Sequence, residues 1–110
     1  MPLSLSRLDL LTLLALTRLG DDAYGVTVCE DIAAVTGREA SMAAVYVALG
    51  RLERAGLVRA WQSDPRPERG GRSRRHFALT PAGRAAIHDE RALASRMWRG
   101  PSRAAKGQGR

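Results

Sequence analysis

The chain has 110 residues, about one domain, with 18 Lys+Arg against 11 Asp+Glu, a formal net charge of +7 and a sequence pI near 11.2. The charge is unevenly distributed: residues 1–50 hold three basic and six acidic side chains, whereas residues 51–110 hold fifteen and five. Such asymmetry indicates an anionic partner on one side of the molecule. The single cysteine, Cys29, excludes an intramolecular disulfide, and His76 and His88 lack partners at metal-ligand spacing, so no metal or other cofactor is expected.

Catalytic and membrane functions find no support in the sequence. It contains no glycine-rich phosphate loop, no paired carboxylates on one apolar face and no nucleophile elbow, so we expect no enzyme and no catalytic residues. The leucine-rich start is interrupted by Arg7, Asp9 and Arg18, and it is too short to span a bilayer. No convincing signal peptide is present, so we expect a soluble cytoplasmic protein.

The first two predicted helices flank Gly20-Asp21-Asp22. Leu8, Leu11, Ala15 and Leu19 recur at helical spacing, and further leucines widen this stripe, which predicts burial on more than one side. We expect the second side to contact a partner subunit through Leu8, Leu11 and Ala15. A second helix runs from about Tyr24 to Thr36-Gly37, the glycine forming a left-handed cap. Its predicted inward face consists of Val26, Cys29, Ile32 and Ala33.

A third helix is predicted over about residues 41–55, with Ser41 as its N-cap. At 100° per residue, its inward face consists of Val45, Ala48, Leu49, Leu52 and Ala55. Its outward face consists of Ala43, Tyr46, Val47, Gly50 and Arg54. The turn between the second and third helices is about four residues long, as in helix-turn-helix motifs.

Two short strands follow, Leu57 to Gln62 and Arg74 to Leu79, around a turn rich in glycine, proline and charge. On the second strand Arg75, Phe77 and Leu79 share one face; on the first, Trp61 is expected to pack in the core or at the root of the hairpin. Thr80-Pro81 predicts a fourth helix that ends at about Trp98, because proline suits the first helical position.

This order of elements predicts a mainly α fold with a small β-hairpin, a winged helix-turn-helix followed by a dimerisation helix. The predicted divisions are a DNA-binding domain over residues 1–80, a C-terminal dimerisation helix over 81–99 and a disordered basic tail over 100–110. On the fourth helix we expect Leu93, Met97 and Trp98 to pack across a dimer interface. Trp98 is also a candidate for stacking on a planar effector.

Double-stranded DNA is the anionic partner that this fold favours. The third helix would lie in the major groove, where its small and apolar outward face lets the backbone approach the bases. The arginine-rich segment 66–75 at the hairpin tip suits phosphates and the minor groove. The predicted contacts on the third helix are Ser41, Met42, Ala43, Tyr46, Val47, Arg51 and Arg54, and those on the hairpin are Arg72, Ser73, Arg74 and Arg75.

Two alternative functions remain open at this stage. The basic face could bind an acidic protein, which would make the domain a protein-interaction module. The chain could instead act first as an effector sensor, with a planar ligand beside Trp98 at the dimer interface. Cys29 is interpreted as a small buried hydrophobe rather than a redox sensor.

Two segments of the chain resemble the PadR family of bacterial transcriptional regulators. Residues 41–58, SMAAVYVALGRLERAGLV, resemble the family's recognition helix, and residues 74–84, RRHFALTPAGR, resemble its second wing strand and the start of its last helix. Tyr24-Gly25 matches the tyrosine that opens the family's second helix. Ala43 departs from the family, which often has glycine there, and the last helix is short, as in the small members.

The resemblance implies a homodimer that joins through its first and last helices and binds a palindromic operator. It implies repression of transcription, relieved by a small molecule in several members. It also implies that Tyr46 contacts the DNA backbone, that residues 41–43 lie at the groove and that residues 72–75 form the wing tip. By the same resemblance Tyr24 is a further DNA-contact candidate.

Overall fold

The computed structural model describes residues 4–63 and 74–100, which form four α-helices and one antiparallel pair of strands. The elements are α1 (Arg7–Leu19), a single 3-10 turn (Gly20–Asp22), α2 (Gly25–Thr36), α3 (Met42–Arg54), β1 (Val58–Gln62), β2 (Arg75–Leu79) and α4 (Pro81–Arg99). This order confirms the predicted mainly α fold with a small hairpin. The predicted contacts Arg72 and Ser73, and the tail from residue 101 onward, lie outside the described residues.

The core lies where α1, α2 and α3 meet the inner face of the hairpin. The predicted inward face of α3 is confirmed, because Val45, Ala48, Leu49 and Leu52 are all buried. Ala55 is exposed, since it caps the helix instead of continuing it. The other members of the core are Leu13, Ala15, Leu16, Ala23, Val28, Ile32, Leu57, Val58 and Phe77.

The predicted inward face of α2 is wrong at its N-terminal end. Val26 is 44% exposed, and Val28 is buried in its place. Several apolar side chains surround this helix, so periodicity alone does not fix its rotation. The hydrogen bonds of Thr27 to Tyr24 and to the carbonyl of Asp22 hold the first turn with Val28 inward.

The rotation of α1 also corrects one predicted dimer contact. Ala15 is fully buried within the single chain, because Leu13, Ala15 and Leu16 all point into the core. Its side chain therefore cannot contact a partner subunit. Leu8 and Leu11 are half-buried at the edge of the core and keep part of their surface free.

The β1–β2 hairpin, which we call the wing, has one packed face and one outer face. Its register pairs Val58 with Leu79, Ala60 with Phe77 and Trp61 with His76. Phe77 is the buried residue of β2, whereas Arg75 on the same predicted face is exposed and Leu79 is half-buried. Each strand begins one residue later than predicted. The wing is a two-stranded sheet, so its orientation depends on what its two faces contact.

Helix α4 begins at a tight junction with the end of α3 and projects away from the core. Thr80 caps it by accepting a hydrogen bond from the Gly83 amide (3.0 Å), and the Thr80 hydroxyl donates to the Gly56 carbonyl (2.7 Å). A side chain at Gly83 would overlap the carbonyl oxygen of Leu57. The C-terminal half of α4 is exposed, and its large apolar side chains there are Leu93, Met97 and Trp98.

Candidate nucleic-acid interface

The turn between α2 and α3 sets the direction in which α3 leaves the domain. Gly37 adopts a left-handed conformation (φ +75°), as predicted, and this redirects the chain after α2. Ser41 then caps α3 by accepting a hydrogen bond from the Ala44 amide (3.2 Å). The first turn of α3 thus begins at a defined point on the surface.

The outer face of α3, formed by Met42, Ala43, Tyr46, Val47 and Gly50, is apolar and uncovered. Val47 is 62% exposed, Tyr46 45% and Met42 41%. Exposed apolar residues scattered singly are normal on soluble proteins, but three large ones close together on one helix mark a contact surface. The small Ala43 and Gly50 between them let another molecule approach the backbone closely.

Tyr46 rests on the first turn of α2. A Cβ atom at Gly25 would overlap the Tyr46 hydroxyl, so the glycine makes room for the phenol ring. The first turn of a helix carries N–H groups without partners in the helix, and these attract anions. The Tyr46 hydroxyl and the N-terminus of α2 therefore lie side by side, with Tyr24 as the residue that precedes this turn.

The predicted hairpin arginines that the structure describes point in different directions. The guanidinium of Arg74 lies 4.3 Å from the centroid of the Tyr24 ring, on the outer face of the wing. Arg75 points to the other face and forms an ion pair with Glu53 of α3 at 3.1 Å. The side chain of Arg75 is still 48% exposed, so the DNA contact predicted for it stays a prediction.

Arg51 is also paired within the chain, but its side chain is 43% exposed and its predicted DNA contact likewise stays a prediction. Its guanidinium pairs with the carboxylate of Asp9, whose side chain is only 3% exposed. The same carboxylate accepts a hydrogen bond from the Ser6 amide (2.9 Å), while the Ser6 hydroxyl caps α1. Arg51 thus ties α3 to the start of α1. Arg54 is exposed alongside Gly50, and it forms no ion pair with any residue that the structure describes.

Sequence reasoning missed two of these features. The pairing of Asp9 with Arg51 was not predicted, although Ser6-x-x-Asp9 is a capping-box pattern that could have marked Asp9 as structural. The stacking of Trp61 on His76 was not predicted either, although the hairpin register places these two side chains opposite each other. With 36% of its surface exposed, Trp61 packs on the wing and not in the core.

A second exposed apolar surface lies on α1 and α4. Leu10, Leu14, Ile87 and Ala94 line a groove of about 320 Å³ between the two helices. Beyond it, Leu93, Met97 and Trp98 are 42%, 70% and 89% exposed.

The remaining chemical candidates are Cys29 and the possible metal ligands. Burial raises the pKa of the Cys29 thiol, and the nearby charge of Glu30 raises it further. The Cys29 sulfur lies 3.5 Å from the sulfur of Met42. Within residues 4–63 and 74–100, no three His, Cys, Asp or Glu side chains are grouped as metal ligands. In the same residues, no helix is long and apolar enough to cross a membrane.

Together, the capped third helix, its short turn after α2 and the adjacent hairpin define a winged helix-turn-helix protein. The PadR-like family of transcriptional regulators matches residues 13–89, which is well over half of the chain. The chain belongs to this family, whose members are DNA-binding regulators of transcription. The resemblance found in the sequence is thereby confirmed.

Solved structures show the same fold at low sequence identity. A PadR family transcription regulator from Clostridium difficile aligns with a TM-score of 0.66 and 20% identity, over 80% of this chain and 86% of its own. A transcriptional regulator from Clostridium thermocellum aligns with a TM-score of 0.66 and 21% identity, over 79% of this chain and 81% of its own. BpsR of Bordetella bronchiseptica aligns with a TM-score of 0.63 and 22% identity, over 84% of this chain and 56% of its own. A search of curated proteins gave no significant match.

Proposed function

We propose that this chain is a repressor that binds a palindromic operator as a homodimer. The observation that carries the proposal is the uncovered apolar face of α3, which lies beside the basic wing. A helix of this kind suits the major groove, where apolar side chains meet thymine methyl groups and small residues let the backbone approach.

The contacts divide by chemistry. Residues 41–43 and Val47 would face the base edges, because they occupy the first two turns of the outer face. Tyr46 and the first turn of α2 would hold one phosphate, with Tyr24 beside it. Arg54 and Arg74 would neutralise others, together with Arg72 and Ser73 of the wing segment.

A two-fold symmetric dimer would match the symmetry of a palindromic operator. We assign the dimer contacts to Leu93, Met97 and Trp98 of α4, with Leu8 and Leu11 of α1. An exposed tryptophan beside two other apolar side chains on one helix is typical of a surface that becomes buried on association. A two-fold dimer would place its two α3 helices one helical turn of DNA apart, about 34–36 Å.

A test starts by enriching duplexes from a random library on the full chain. Footprinting the enriched duplex should then reveal two symmetric protected half-sites, and sedimentation should find two chains per duplex. A single half-site with one chain bound would contradict the homodimer. Failure to enrich any duplex at low salt would contradict DNA binding and favour the protein-interaction module.

An effector that controls DNA binding is a second candidate function. The α1–α4 groove of about 320 Å³, close to the dimer surface, favours it. BpsR, which shares the fold, has its DNA binding regulated by 6-hydroxynicotinic acid. With Trp61 replaced by Phe, Trp98 is the only tryptophan, so titrating this acid should quench its fluorescence; no quenching and no change in DNA affinity would count against this ligand.

A further inference from the structure

We propose that Trp61 and His76 are positioning residues for DNA binding: they brace the wing against the start of α2. The proposal rests on the proposed function and adds Trp61 and His76, to which the proposed function assigns no DNA contact. The brace consists of Arg59, Trp61, His76, Tyr24 and Arg74, which follow one another across the outer face of the wing.

The wing needs a support on this face. Its inner face is anchored in the core by Val58 and Phe77, but the pairs nearer the tip lie beyond these buried residues. A two-stranded hairpin is only marginally stable by itself, so its outer end keeps one direction only if other elements hold it. On the inner side, the ion pair between Arg75 and Glu53 provides one such hold.

The brace provides the hold on the opposite side. The rings of Trp61 and His76 are stacked, with centroids 5.6 Å apart and an interplanar angle of 19°. The ring of His76 meets that of Tyr24 edge to face, again at 5.6 Å, with an angle of 64°. These are the two arrangements that aromatic pairs prefer.

Two arginines close the series at its ends. The guanidinium of Arg59 lies 4.7 Å from the Trp61 ring, and that of Arg74 lies 4.3 Å from the Tyr24 ring. Both distances are within the range of cation–π attraction. The rings of Trp61 and Tyr24 are therefore both in contact with other side chains of the chain, although Trp61 remains 36% exposed.

Backbone contacts fix the brace to α2. The Phe77 amide donates to the Ala23 carbonyl at 2.9 Å, and Tyr24 forms a β-bridge with His76. Tyr24 directly precedes the turn of α2 on which Tyr46 rests. Direct contacts thereby connect the wing to the N-terminus of α2, and the N-terminus of α2 to the outer face of α3.

The side chain of Trp61 has little part in folding the core. Trp61 is 36% exposed and its ring contacts His76 and Arg59, whereas Val58 and Phe77 are the wing residues buried in the core. Its loss should loosen the wing and leave the helices intact. The effect on DNA should then pass through the wing's cations. Arg72, which lies outside the described residues and is a DNA contact by the prediction from sequence, is a suitable probe.

The test is a double-mutant cycle on the enriched duplex with Trp61→Leu and Arg72→Ala. We expect Trp61→Leu to weaken binding about tenfold, and to have a clearly smaller further effect once Arg72 is replaced, because coupled residues give non-additive effects. Trp61→Phe keeps an aromatic face and should bind within about twofold of the original chain.

Three results would overturn the proposal. The first is unchanged DNA affinity of Trp61→Leu, and the second is additive effects of the two substitutions in the cycle. The third is a DNA affinity of Trp61→Phe as low as that of Trp61→Leu, with the thermal unfolding of Trp61→Phe unchanged. If the original chain binds no duplex, the proposed function fails, and this proposal fails with it. If it binds and Trp61→Leu binds equally well, this proposal alone fails.

Discussion

At the residue scale, the position of an arginine in the sequence does not reveal what it neutralises. Arg51 and Arg54 lie three residues apart at the end of α3, and both suit a phosphate contact by residue type. The structure separates them, because Arg51 pairs with the buried Asp9 whereas Arg54 lies on the outer face beside Gly50.

Substituting these two arginines should therefore have different effects. Arg51→Ala leaves the Asp9 carboxylate buried without its cation, so we expect the free energy of unfolding to fall by about 1–3 kcal/mol. Arg54→Ala, the matched control, should leave stability nearly unchanged but reduce the slope of DNA affinity against salt by about one. Denaturant unfolding and salt titrations measure the two effects. A lower salt slope with unchanged stability for Arg51→Ala would contradict the assignment.

The pKa of Cys29 gives a second prediction at this scale. The thiolate is the reactive form, and burial together with Glu30 raises the thiol pKa, so little thiolate forms near neutral pH. Alkylation by iodoacetamide should be slow at pH 7, and its rate should level off at a higher pH in the folded chain than in urea. An inflection below that of the unfolded chain would indicate an activated thiol.

How much of the site the sequence predicts depends on the type of contact. The outer face of α3 follows from helical periodicity, because Val45, Ala48, Leu49 and Leu52 leave Tyr46 and Val47 outside. The contacts of Arg51 with Asp9 and of Trp61 with His76 join residues distant in the chain. Helical periodicity carries no information about such pairs.

At the element scale, the ends of the helices were more predictable than their rotation. Ser41 and Thr80 have the hydroxyl that caps a helix, and Gly37 has the freedom that a left-handed turn requires, so local chemistry places these ends. The rotation of α2 depends on tertiary contacts, which is why Val26 was wrongly placed in the core.

The junction of α4 with the domain depends on one close approach. In Gly83→Ala the new Cβ would overlap the Leu57 carbonyl oxygen, a backbone atom that cannot move aside alone. We expect a loss of about 1–3 kcal/mol in the free energy of unfolding, as for other overpacked sites. Gly50→Ala is the control, since its Cβ has only Arg54 at 3.5 Å and alanine favours the helix. Equal stability of the two variants would contradict the close approach.

At the scale of the whole molecule, the distribution of charge agrees with the proposed contact between DNA and the wing. The acidic excess lies in residues 1–50, and the basic excess lies in residues 51–110. Arg51 and Arg75 are paired with acidic side chains of the chain, which offsets part of this basic excess. The net charge of +7 thus favours an anionic partner, whereas the apolar outer face of α3 is what favours DNA.

The most direct test of this account compares two exposed valines that differ only in position. Val47 is 62% exposed on the outer face of α3, and Val35 is 56% exposed near the end of α2. Val47→Glu and Val35→Glu each lower the net charge by one, so any general electrostatic loss is the same. A carboxylate forced against bases and phosphates should weaken binding of the enriched duplex by about 100-fold or more, whereas Val35→Glu should weaken it by only a few-fold. Equal affinities of the two variants would contradict recognition through α3.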